Sequence, residues 1–116
     1  MKVSLKLKNN VLIASLSGEL DHHSAKKVKD IVEDAIKNKG ATSLIFDFSG
    51  LSFMDSSGIG VVVGRYKLIS SLGGKVSICG ASPSVNRILT VSGIKKIIPV
   101  YEDAEKALTN LLEGIC

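Results

Sequence analysis

The residues with the most chemical potential in this 116-residue chain lie in "SFMDSSGIG", positions 52–60, where Asp55 precedes Ser56 and Ser57. A serine can be a nucleophile, a helix cap or the substrate of another enzyme, and each role asks for different neighbours. Nucleophilic attack needs a base to take the proton and donors to hold the oxyanion. The histidines are the adjacent pair His22 and His23 in "GELDHHSA", and neither serine sits in the G-x-S-x-G elbow of an α/β-hydrolase. No G-x-x-x-x-G-K-[ST] loop is present, so a P-loop nucleotide site is not indicated. Two adjacent histidines without a third ligand at suitable spacing are a weak metal signal, and more simply form a polar loop with Asp21 or Ser24 capping the next helix.

For Asp55, Ser56 and Ser57 the simplest role is likewise capping, at a junction between a strand and a helix. Three features add to that reading. Gly58, Gly60 and Gly64 fall in the first turns of the helix, where each costs up to ~1 kcal/mol relative to Ala, so close backbone approach is expected there. Ile59, Val62, Val63, Tyr66 and Ile69 form one apolar stripe, the expected core face, while Val61, Leu68 and Leu72 form a second on nearly the opposite side. Either a neighbouring helix covers that second stripe or it stays exposed and binds a partner. Finally, a helix N-terminus has free N–H donors and a positive dipole end, which suit a phosphate.

The elements that must position these residues follow from periodicity. Val3, Leu5 and Leu7 alternate with lysines and serine, "NN" at 9–10 is turn chemistry, and "VLIASLSG" follows, which together predict an antiparallel hairpin. Ala25, Val28, Ile31, Val32, Ala35 and Ile36 recur at helical spacing, with Gly40 as a stop. "TSLIFDFS" reads as a short buried strand in which Asp47 points to the solvated side. A helix to about Leu72, a strand at "KVSICG", a short helix at "SPSVNRILTVSG", a last strand at "IKKIIPVY" and a closing helix at "EDAEKALTNLLEG" complete the order. This is an α/β arrangement, β-β-α-β-α-β-α-β-α, with parallel strands and right-handed crossovers after the hairpin.

Length and composition bound the rest. Residues 1–116 are expected to form one domain, with hydrophobic content of 45% and charged content of 22% that match an ordinary globular protein. Fifteen basic residues are scattered among eleven acidic ones, and five aromatics do not interleave with them, so nucleic-acid binding is disfavoured, whereas a net charge of +4 suits an acidic protein partner. No apolar run is long enough to span a bilayer and the N-terminus lacks a secretory apolar block, so no membrane role and a cytoplasmic location are expected. Cys79 and Cys116 are expected to be free thiols.

Four stretches, "GELDHHSA", "LSFMDSSGIGVVVGRYK", "GGKVSICGASPSVNRIL" and "SGIKKII", resemble the anti-sigma factor antagonists of the STAS domain family, in particular those that act in the sporulation of endospore-forming bacteria. The resemblance spans Leu12 to Ile98. It implies a mixed, mostly parallel sheet of about five strands with helices packed on one side, and no catalytic centre, cofactor or metal of its own. It further implies that the unphosphorylated protein binds an anti-sigma factor that is also an ATP-dependent serine kinase, which frees the sigma factor. The kinase phosphorylates the serine directly after the aspartate, here Ser56, and a dedicated serine phosphatase reverses the reaction. By the same carry-over, Asp21, His22, Asp55, Ser57, Gly58, Ile59 and Val61 face the partner. Ser57 also offers a hydroxyl, and local physics alone does not separate it from Ser56. Three rival readings remain: a STAS component of a larger stress-signalling assembly, the regulatory STAS domain of an anion transporter, and a small domain that weakly binds or hydrolyses nucleotide.

Overall fold

A computed structural model describes residues 1–113, so the thiol of Cys116 lies outside the described residues. The elements are β1 (Lys2–Lys8), β2 (Val11–Leu20), α1 (Ala25–Lys39), β3 (Ser43–Met54), α2 (Ser56–Ser71), β4 (Val76–Cys79), α3 (Pro83–Val91), a 3-10 turn (Ile94–Lys96), β5 (Val100–Tyr101) and α4 (Ala104–Glu113). Asn9 and Asn10 both take positive φ, 50° and 67°, the pair of left-handed conformations that a two-residue hairpin turn needs. They join β1 to β2 antiparallel with Lys8 opposite Val11. From β2 onward the strands are parallel, in the spatial order β1-β2-β3-β4-β5.

That order determines where the helices go. Right-handed crossovers between strands laid down successively in one direction all pass over the same face. The core on that face joins Leu12, Ala14 and Leu16 of β2, Leu44, Phe46 and Phe48 of β3, and Val76 and Ile78 of β4 to Val28 and Val32 of α1, Val62 and Ile69 of α2, and Val85 and Leu89 of α3. The expectation that all helices pack on one side needs correction for α4. It follows the last strand, is bound by no crossover, and packs Ala107 and Leu111 on Val11, Ile45 and Cys79, which alternate with the first set and so face the other way. Asp47 shares that second face and is half-buried, not fully solvated; its Oδ1 accepts from the Ser49 N–H (3.0 Å) and the Ser49 hydroxyl (2.7 Å). Cys79 is a free, buried thiol. Burial first, and Asp47 second, push its pKa up to about 12.

Two boundaries differ from the sequence reading. β3 is not a short strand ending near Ser49 but runs on to Met54, paired with β2 from Val11–Ser43 to Leu20–Met54. Register shifts at Ser15/Ser17 and Gly18/Glu19 interrupt the period-2 pattern, so that Leu51 and Met54 are buried while Ser52 and Phe53 are exposed. The "IKKIIPVY" segment is mostly not strand. Ile94 and Ile98 are both buried at a spacing of four, Gly93 enters the turn at φ 80°, and Pro99 has no N–H to donate, leaving two residues for β5.

Candidate functional site

The helix starts supply the local geometry. Asp55, in extended conformation, is the N-cap of α2, and its Oδ1 accepts from the Ser57 N–H at 2.8 Å. The Asp55 carbonyl accepts from Gly58 and Ile59. Ser56 is therefore the first helical residue and is exposed. Its hydroxyl and its backbone N–H have no hydrogen-bond partner among the described residues. Ser57 is half-buried on the side of α2 that faces α1. The two hydroxyls differ in exposure alone: neither has a hydrogen-bond partner among the described residues, but Ser56 is exposed at the helix N-terminus and Ser57 is half-buried in the groove against α1.

Two motifs 34 positions apart meet at this corner. Leu20 and Met54 pair in register, and the Asp55 N–H donates to the Leu20 carbonyl at 3.3 Å, which sets the "GELDHH" loop beside "MDSSG". Asp21 is the cap of that loop. Its Oδ1 accepts from the His23 N–H (2.9 Å) and the Ser24 N–H (3.1 Å), while the Ser24 hydroxyl donates to the Glu19 carbonyl at 2.7 Å. The N–H of Ser24, first among the causes, holds the Asp21 carboxyl below its usual value of 3.8. His22 and His23 are both exposed, with their rings in edge contact at 5.6 Å. Among the described residues no hydrogen bond joins either ring to Ser56 or Ser57, and no group of His, Cys, Asp and Glu could hold a metal ion.

Burial along α2 revises the expected stripes. The buried residues are Gly58, Val61, Val62, Arg65 and Ile69, a line centred between the two apolar stripes. Val61 and Gly58 are consequently not part of an exposed partner strip: Val61 is 5% exposed at the α1–α2 contact, and Gly58 is buried against the side chains of Met54 and Leu20. A Cβ on Gly58 would stand 2.7 Å from Met54 Cγ and 3.0 Å from Leu20 Cγ, so glycine lets α2 sit down on the ends of β2 and β3. Gly60 and Gly64 have open space where a Cβ would go, so close approach within the chain does not explain them. Ile59 is half-buried and Leu72 exposed. On the helical wheel the face that carries Ser56 continues through Gly60, Val63 and Lys67, with no acidic or aromatic side chain. Sequence reasoning missed Val63 and Gly60 as neighbours of Ser56, although their i+7 and i+4 spacing was available. It also missed Phe53, which is 47% exposed beside Glu19 at the same corner because the register shifts defeat the alternation.

The model of the STAS domain matches residues 2–107. The chain belongs to the STAS domain family. An anti-sigma F factor antagonist of Paenibacillus polymyxa is 41% identical over 96% of this chain and 95% of its own length. A crystal structure described as that of a putative anti-sigma factor antagonist of Thermotoga maritima superposes with a TM-score of 0.88 at 28% identity, over 94% of this chain and 93% of its own. The Bacillus protein SpoIIAA matches in two states. Its unphosphorylated form gives a TM-score of 0.72 at 30% identity over 97% of this chain and 99% of its own, and its phosphorylated form 0.74 at 29% over 94% and 98%. Both states of that relative share this STAS fold, so the fold accommodates a phosphoryl group without being remade. No helix of the described residues is long and apolar enough to cross a membrane.

Proposed function

We propose that this STAS-family chain is a cytoplasmic anti-sigma factor antagonist whose binding is switched by phosphorylation of Ser56. In this reading the unphosphorylated protein binds an anti-sigma factor that is itself an ATP-dependent serine kinase and so releases the sigma factor. The kinase then phosphorylates Ser56, and a serine phosphatase restores the binding form. The protein is the substrate and has no chemistry of its own. The observation that carries the reading is the exposed, unengaged Ser56 hydroxyl at the first position of α2, held against the Leu20–Asp21 loop by the Asp55–Leu20 hydrogen bond. The family and the antagonist relatives supply the partner class.

The switch works by charge at an interface. A phosphoserine carries about −1.5 to −2 charge at neutral pH, and at the N-terminus of α2 the free N–H groups and the dipole favour it by roughly 0.3–1 kcal/mol. The fold is therefore retained. The partner, in contrast, meets a phosphate next to the Asp55 carboxylate where it had met a hydroxyl, and each ~1.4 kcal/mol of that penalty weakens binding tenfold. Ser56, Asp55, Asp21, His22 and the open face through Gly60 and Val63 form the contact surface. Titration of wild type and of Ser56→Asp into the anti-sigma F factor of Paenibacillus polymyxa, with ADP present, tests this. Wild type is expected to bind and Ser56→Asp to lose at least tenfold in affinity; equal affinities would remove the interface mechanism.

A further inference from the structure

Arg65 is out of place by ordinary rules. Its side chain is 8% exposed, and its one ion pair among the described residues is Nη2 with Glu33 Oε1 at 3.2 Å, made across the α1–α2 contact. Its Nε and Nη1 are buried with no hydrogen-bond partner among the described residues. Buried polar atoms are nearly always paired, so a buried guanidinium with two idle donors is an exception. Arg65 lines a groove of about 290 Å³ between α1 and α2, together with Lys26, Lys29, Ser57, Gly60 and Val61. Three cations and no carboxylate line it. The two nearby acids are already engaged, Glu33 with Arg65 and Asp30 with Lys26 at 2.8 Å, while Lys29 has no ion pair among the described residues. At one end the groove reaches Ser57, the residue after the switch serine.

We propose that this groove docks an acidic side chain of the same protein partner that contacts Ser56. The inference rests on the reading of Ser56 as the partner-facing residue and extends that interface onto α1. A carboxylate entering between Lys29 and Gly60 meets cations on both helices, and Gly60, with open space at its Cβ position, leaves room for it. A small movement of the groove wall then brings the idle donors of Arg65 onto the incoming oxygens, in the bidentate manner that suits guanidinium and carboxylate. Gly60 lies one helical turn from Ser56 on the same face, so the docked acid adjoins the phosphorylation point and the two sites are expected to couple.

Binding to the anti-sigma F factor of Paenibacillus polymyxa, measured from 50 to 300 mM salt, provides the test. Lys29→Glu is expected to weaken binding at least tenfold at low salt and to flatten the salt dependence, because a steering and docking charge has been reversed. Lys39→Glu, at the exposed far end of α1, is expected to stay within twofold of wild type. Arg65→Lys, checked for native folding by circular dichroism, keeps the charge and loses the fork, and is expected to weaken binding at least threefold. Wild-type binding with Lys29→Glu indistinguishable from Lys39→Glu would overturn the groove and leave the Ser56 reading intact. Absence of binding by wild type would overturn both. Saturable, low-millimolar binding of inorganic phosphate that shifts the Gly60 and Val61 amide resonances, with protein binding unaffected by Lys29→Glu, would reassign the groove to a free anion.

Discussion

Two helices begin with serine-rich corners after parallel strands, and the corners differ in what the serine hydroxyl is used for. At the start of α3, Ser82 is itself the N-cap: its hydroxyl accepts from the Val85 N–H at 3.3 Å, lies 3.3 Å from the Ser84 hydroxyl, and Pro83 follows in the first turn. At the start of α2 the cap is Asp55, and the serine is displaced by one position into the helix, where its hydroxyl bonds to nothing among the described residues. Giving the capping role to an aspartate leaves the hydroxyl of the serine beside it unengaged, as the proposed modification of Ser56 requires. The helix is already secured without it, so a phosphate can come and go at small cost to the fold. The α3 corner lacks that division of labour and stands as the structural counterpart to the proposed switch.

Separating the two corners by experiment should give the following, from large effects to small. Ser56→Ala should abolish phosphate incorporation by a cognate kinase, whereas Ser82→Ala should leave incorporation unchanged; loss in both would erase the distinction. Gly58→Ala should destabilise by about 1–3 kcal/mol in urea unfolding, since a methyl there runs into Met54 and Leu20, and the helix-propensity gain of up to ~1 kcal/mol offsets only part of it. Ser82→Ala and Asp55→Ala should each cost about 1 kcal/mol as lost caps, while Ser56→Ala should stay within about 0.5 kcal/mol of wild type. An equal cost at Ser56 would mean that its hydroxyl holds the helix after all.

The smallest effect concerns pH at the Asp21 loop. The Asp21 carboxyl is held below 3.8 by the N–H groups of Ser24 and His23, so the ionised form is favoured in the folded protein. Its contribution is present above the unfolded value and is lost as pH falls through the lower folded one. An NMR titration should place the Asp21 midpoint below 3.8; a midpoint at or above that value would mean that the loop is not capped by this side chain.

The same contrast explains what could be seen in the residues alone. Asn9-Asn10, the apolar spacing of α1 with Gly40 behind it, and Pro83 after Ser82 each carry their own local instruction, and the structure follows them. Local signals failed where a distant strand or helix decides the outcome. The extension of β3 through Leu51–Met54 depends on pairing with β2, whose bulges scramble the alternation. Arg65 is charged and yet buried because Glu33 of α1 reaches it, so no wheel drawn for α2 alone could place it in the core. The placement of α4 on the second sheet face rests on Ala107 and Leu111 meeting Val11, Ile45 and Cys79, partners that no wheel drawn for α4 alone could name. At the site, the Asp-Ser pair and its helix were legible, and the preference for Ser56 over Ser57 came from family resemblance. The physical reason, an exposed hydroxyl against one turned toward α1, needed the packing of two helices.

The most direct measurement is residue-resolved mapping of phosphate after incubation of the full chain with the Paenibacillus polymyxa anti-sigma F factor and Mg-ATP. The account predicts a single phosphoryl group on Ser56, with Ser57, Ser82 and Ser84 unmodified. Phosphate on Ser57 or at the α3 corner, or none on any of the four, would contradict it.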